Sequence, residues 1–141
     1  MKSQSHQNIS FLFVLLVSTA CSQVDKDWSG QIIESPGTYR FLQDTLTANI
    51  YLENNFVRYQ VKNNKGQILM RYLHNASTFH RWAFFFDEEK TFWVFSSDIG
   101  HSAWIKTKNG YQPHDFGFSE PRRDQVPESV YKNCKHYFYE R

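Results

Sequence analysis

Apolar and polar residues alternate over much of the chain between positions 38 and 116, which is typical of antiparallel strands with one buried face. In FVRYQVK (56–62), one face carries Val57, Tyr59 and Val61, and the other carries the polar Arg58, Gln60 and Lys62. In QILMRYL (67–73) the same period places Ile68, Met70 and Tyr72 on one face. Turn-forming residues separate these segments from further predicted strands, which are TYRFL (38–42), ANIYLE (48–53), WAFFFD (82–87), TFWVFSS (91–97), SAWIKT (102–107) and YQPHDF (111–116).

A helical period replaces the alternation near the C-terminal end of the chain, after a loop-like segment at 114–125. The apolar residues there recur on one stripe of a helix. They are Val126, Val130, Tyr131, Cys134, Tyr137 and Phe138. Because Cys134 lies on the stripe, the spacing predicts a buried thiol.

Together these patterns predict a mainly β fold, with α+β as the nearest alternative. We expect an antiparallel meander or partial barrel of about seven strands, closed by a C-terminal helix. Pro113 marks its strand as a sheet edge or as ending there, because proline cannot donate to a neighbouring strand. The domain is predicted to span residues 30–141.

The hairpin from 82 to 96 breaks the alternation because both of its faces are apolar. Such a hairpin is either covered on both sides, with the terminal helix as one cover, or it leaves aromatic rings open to a partner. A single helix is only about 10 Å wide and cannot cover a whole sheet. We therefore expect some aromatic surface to stay open. The candidate binding residues are Trp93, Phe95, Asp98, His101 and Trp104.

The first 20 residues have the features of a signal peptide. Lys2 precedes an apolar run, ISFLFVLLV (9–17), that is far shorter than the roughly 20 residues of a membrane-spanning helix. Small residues follow at 18–20, and then Cys21. We assign 1–20 to the leader and 21–29 to a short tether that begins with the cysteine.

Residues 1–23 resemble bacterial lipoprotein precursors, in which a small residue precedes the cysteine that receives the lipid. The resemblance implies cleavage before Cys21, a diacylglycerol thioether on its sulfur and an acyl chain such as palmitate on its amino group. Ser22, rather than aspartate, implies the outer membrane, with the domain facing the periplasm. Ser18 stands where the family usually has an aliphatic residue, so ordinary secretory cleavage is the alternative.

The mature chain is almost neutral. Lys2 is the one basic residue of the leader, which leaves 15 basic and 14 acidic residues. This balance does not indicate a nucleic-acid partner. An alkylated Cys21 could not form a disulfide with Cys134, the other cysteine.

Motifs for catalysis are weak. SSDIGH (96–101) places Ser96, Ser97, Asp98 and His101 close in sequence, but Asp and Gly first indicate a turn. SVYK (129–132) has a serine-to-lysine spacing known from penicillin-recognising enzymes, without their other motifs. The histidines have no metal-ligand spacing, so neither a metal nor another cofactor is expected.

We therefore expect a lipid-anchored envelope protein, not an enzyme, that binds an envelope or secreted protein, for example as an inhibitor or immunity factor. One alternative is a small hydrolase that uses Asp98, His101 and a serine. The other is a carrier that holds an apolar ligand inside the sheet.

Overall fold

A computed structural model describes residues 25–117 and 125–138. In these ranges nine strands form two antiparallel sheets, and one α-helix follows them. The predicted leader (1–20), Cys21 and residues 118–124 of the predicted loop lie outside the described residues. The mainly β fold predicted from the alternation is confirmed.

The first sheet is a meander whose edge strand is broken in two. Its strands are β1 (Gly37–Phe41), β2 (Leu46–Glu53), β3 (Phe56–Lys62), β4 (Ile68–Arg71) and β5 (Ala76–Ser77). They are ordered β1-β2-β3-β4, and β5 also pairs with β3. The alternation did not predict β5, which is only two residues long.

A bulge in the first sheet changes which face Ile68 occupies. The register of β3 and β4 shifts between Val61 and Lys62, so that Met70 pairs with Val61 but Ile68 pairs with Lys62. Met70 is buried, whereas Ile68 is 45% exposed. The prediction that Ile68 and Met70 share a face is therefore wrong, because a bulge breaks the two-residue period.

The second sheet follows the chain order. Its strands are β6 (Trp82–Phe86), β7 (Phe92–Ser96), β8 (Gly100–Thr107) and β9 (Gly110–Gly117). Pro113 lies inside β9, which pairs only with β8 within this sheet. Of the two alternatives for this strand, the sheet edge is correct.

The β6–β7 hairpin contributes to two hydrophobic cores, one on each of its faces. Phe84 and Phe92 pack with the inward residues of the first sheet. Phe85 and Phe95 belong to a second core on the other face. The prediction of a hairpin covered on both sides is confirmed.

The helix α1 (Glu128–Cys134) and a 3-10 turn (Lys135–Tyr137) cover the second core. Its buried stripe matches the predicted one at Val130 and Cys134. Cys134 is a free, fully buried cysteine. Burial raises the pKa of its thiol to about 12.

The segment before β1 connects the two sheets along one side. The Trp28 amide donates to the Arg40 carbonyl (2.9 Å), and Ile33 exchanges two backbone hydrogen bonds with Phe84 (2.9 Å each). Asp27 forms a bridge with Arg40 as well. Residues 27–33 therefore supply hydrogen bonds to both sheets.

Candidate functional site

The aromatic residues predicted to form an open surface are buried. Trp93 is 3% exposed, Phe95 is fully buried and Trp104 is 8% exposed. The first sheet covers Trp104. Trp93 and Phe95 lie on the other face of the second sheet, where they pack with residues of the helix. The expectation that these rings stay open is wrong, because it assumed one sheet with the helix as its only cover.

Both buried indole N–H groups have acceptors inside the protein. Trp93 donates to the Asp87 carboxylate (2.7 Å) and Trp104 to the Tyr59 hydroxyl (2.9 Å). Burial raises the pKa of Asp87 and, more strongly, that of Tyr59. Both tryptophans are therefore core residues whose N–H groups are hydrogen-bonded within the protein.

Asp98 in the β7–β8 turn links the two sheets. One carboxylate oxygen accepts a hydrogen bond from the Ser96 hydroxyl, and the other accepts one from the Ser77 amide in β5 (2.9 Å). This carboxylate holds the turn against the edge of the first sheet.

Ser96 and His101 lie on opposite faces of the second sheet. Ser96 follows Phe95 in β7, so its side chain shares the face of Val94, which belongs to the first core. His101 pairs with Phe95, and the two rings are 5.4 Å apart on the helix side. The Ser96 hydroxyl is hydrogen-bonded to Asp98, and its side chain does not share the face of His101, although Ser96, Ser97 and His101 all line one small cavity.

A small polar cavity lies beside the helix. Ser97, His101, Arg81 and His136 are among the residues that line it, and its volume is about 50 Å³. A carboxylate close by is that of Glu34, which accepts a hydrogen bond from Tyr137 (2.7 Å). The cavity has room for water or a small ion only.

The interior between the sheets is almost completely filled. A cleft lined by Tyr59, Trp82, Phe84 and Ile99, among others, has a volume of about 10 Å³. That volume is close to the minimum for one water molecule, whereas ligand pockets typically measure about 300–1,000 Å³. This cleft is therefore too small for an apolar ligand.

Sequence reasoning missed a cluster on the outer face of the first sheet. The Arg58 guanidinium lies 4.2 Å from the centre of the Tyr72 ring and 5.2 Å from that of Phe56. It donates to Glu53 (3.4 Å) and to Asn75. Only 11% of the Arg58 side chain is exposed. We call these five residues the Arg58 cluster.

One feature of the sequence indicated part of this cluster. Arg58 was predicted on the polar face of β3, and it is there. Its ring partner Tyr72 was predicted to share the buried face of Met70. The irregular stretch between β4 and β5 places Tyr72 partly buried, with its ring beside Arg58.

In the described ranges, no group of three or more acidic, histidine or cysteine side chains is placed to hold a metal ion. No helix in the same ranges is long and apolar enough to cross a membrane. Comparisons with protein-family models, with curated proteins and with solved structures find no match.

Proposed function

We propose that this chain is a lipid-anchored protein of the bacterial cell envelope, held by Cys21 in the outer membrane, that binds another envelope or secreted protein. Roles of this kind include inhibition of an enzyme and immunity to a toxin. The anchor is proposed from the lipoprotein resemblance of residues 1–23. The binding role is proposed from the fold.

The observation that supports binding is the Arg58 cluster on the outer face of the first sheet. Both faces of the second sheet are occupied by cores. On the first sheet, the outer face carries Tyr51, Phe56 and Arg58, which belong to neither of the two hydrophobic cores. Aromatic residues and arginine are the side chains that most often contribute binding energy at interfaces.

The alternatives have less support. A carrier needs an internal pocket, and the cleft between the sheets is about 10 Å³. For the hydrolase, the described hydrogen bonds to the Asp98 carboxylate come from Ser96 and Ser77.

Metabolic labelling tests the anchor. We expect wild-type protein expressed in bacteria to incorporate an alkyne-tagged palmitate and to fractionate with the outer membrane. Cys21→Ser should lose the label and remain as uncleaved precursor, because the proposed thioether requires the sulfur. Ser22→Ala is the matched control and should keep the label. A Cys21→Ser protein that is processed normally would contradict the proposal.

Partner capture tests the binding role. The intact, labelled protein would be captured from its own membranes after chemical cross-linking, and partners identified by mass spectrometry. We expect one envelope or secreted protein to be recovered with wild type and lost with Arg58→Ala. Equal recovery with both proteins would contradict binding at this face.

A further inference from the structure

The outer face of the first sheet is cationic although the mature chain is almost neutral. Side chains on this face alternate with the buried ones along each strand. Its charged members in β1 to β4 are Arg40, Arg58, Lys62 and Arg71, with Glu53 as the acidic one. The rest of the molecule must therefore carry the balancing negative charge.

Two of these cations have no counter-ion among the residues that the structure describes. Arg40 pairs with Asp25, and Arg58 pairs with Glu53. Among the described residues, Lys62 and Arg71 make no ion pair within 4.0 Å. Lys62 is in β3 and Arg71 is in the neighbouring strand β4, where Arg71 pairs with Gln60. Unpaired cations on a flat face attract an anionic partner surface and steer its approach.

The Arg58 cluster gives this face a fixed central element. Two aromatic rings and two acceptors hold the guanidinium in one orientation. A side chain that is already ordered loses less conformational entropy when a partner binds. This geometry favours a folded protein surface over a fluid layer of lipid headgroups.

The tether joins the described domain at one end of this face. The described chain enters at Asp25, beside the Arg40 end of β1. Cys21 and Asp25 are four positions apart, a reach of at most about 14 Å. Lys62 lies at the same end of the face, because Arg40 pairs with Thr47 and Thr47 pairs with Lys62, whereas Arg58 lies four residues farther along β3. Lipid headgroups near that end are therefore a competing occupant that the test must separate from a protein.

We infer that the outer face of the first sheet binds an acidic surface of a folded envelope or secreted protein, through Lys62, Arg71 and the Arg58 cluster. The inference rests on the proposed function and specifies the chemistry of its partner. Lipid, a second copy of this chain and the remaining segments of the chain itself are the competing occupants.

Photo-cross-linking in cells tests the inference directly. Benzoylphenylalanine would replace Gln60, which is half-buried at the centre of the face and pairs with Arg71. The matched control position is Gln112, exposed on β9. We expect a discrete protein adduct from position 60 and none of the same mass from position 112.

Charge reversal then tests the acidic character of the partner. We expect Lys62→Glu combined with Arg71→Glu to lower the yield of the position-60 adduct at least about tenfold. Lys106→Glu combined with Lys108→Glu, on the second sheet, should leave the yield unchanged. In isolated membranes the wild-type yield should also fall as NaCl rises from about 0.05 M to about 0.5 M. This salt arm needs no substitution of the charged residues.

Several results would overturn the inference. They are an adduct with lipid, an adduct of twice the chain mass, no adduct, or a protein adduct that neither charge reversal nor salt weakens. Palmitate labelling of the same samples separates the two proposals. Loss of the palmitate label would contradict the lipid anchor. If the label is intact and one of these results is found, only the acidic protein partner is contradicted.

Discussion

Trp93 and Trp104 can be buried because each indole N–H has an acceptor within reach. For Trp104 the acceptor is the neutral hydroxyl of Tyr59, and for Trp93 it is the carboxylate of Asp87. A buried donor without an acceptor would cost about 1–3 kcal/mol. Asp87 is only 2% exposed, so the second arrangement places an ionisable group inside the protein.

Asp87 should make stability depend on pH. Burial raises the pKa of this carboxyl, although hydrogen bonds from Trp93, Thr91 and Glu89 act in the opposite direction. The folded protein therefore holds the proton more tightly than the unfolded chain does. The stabilisation from this proton is present at low pH, and it is lost as the pH rises from about 4 through the folded pKa.

Urea unfolding of wild type and Asp87→Asn at a series of pH values measures this effect. We expect the free energy of unfolding of wild type, relative to the variant, to fall as the pH rises from about 3 to about 7. The comparison isolates Asp87 because both proteins contain the other carboxyl groups. A relative stability that is constant or rises with pH would refute the assignment.

Cys134 should be unreactive in the native protein. With a thiol pKa of about 12, roughly one molecule in ten thousand is a thiolate at pH 8, and the sulfur is also buried. We expect iodoacetamide to modify Cys134 at least about 100-fold more slowly in the native chain than in guanidinium. Peptide mapping by mass spectrometry separates this site from Cys21. Equal rates in the two states would show that the thiol is accessible.

At the scale of elements, the hairpin between β2 and β3 depends on a turn with two left-handed residues. Asn54 and Asn55 have φ values of 51° and 65°. Asparagine adopts this left-handed region more readily than most residues, and β-branched residues rarely do. The turn sets the register that places Arg58 opposite Tyr51.

Asn55→Val should therefore destabilise the protein by about 1–2 kcal/mol, the usual cost of a left-handed backbone for a residue with a Cβ. Asn55→Gly is the control, and it should remain within about 0.5 kcal/mol of wild type because glycine adopts this conformation freely. Urea unfolding measures both. If valine has no effect, the turn does not contribute to stability as described.

At the scale of the whole molecule, two sheets and a helix bury many of the aromatic rings and leave little space in the cleft between the sheets. The cleft of about 10 Å³ cannot admit a fatty acid. We expect the native full-length protein to leave the fluorescence of cis-parinaric acid unchanged, while a known fatty-acid carrier raises it. Saturable binding at one site would instead revive the carrier alternative.

The sequence alone determined the positions of the longer strands and of the helix stripe. Alternation and helical spacing can be read from neighbouring residues, because burial of one face makes every second residue of a strand, or one stripe of a helix, apolar. Examples are β3 and the helix stripe at Cys134. The sequence also showed that both faces of the β6–β7 hairpin are apolar, which left open whether both are covered. It further supplied the resemblance on which the anchor is proposed.

Only the tertiary structure decided what covers the hairpin and what remains open. Trp104 is buried because the first sheet packs against it, and no local pattern encodes the packing of one sheet on another. The partners of Arg58 include Tyr72 and Asn75, which reach it through the irregular path between β4 and β5. Such contacts join residues far apart in the chain, so register, bulges and sheet packing set them rather than periodicity.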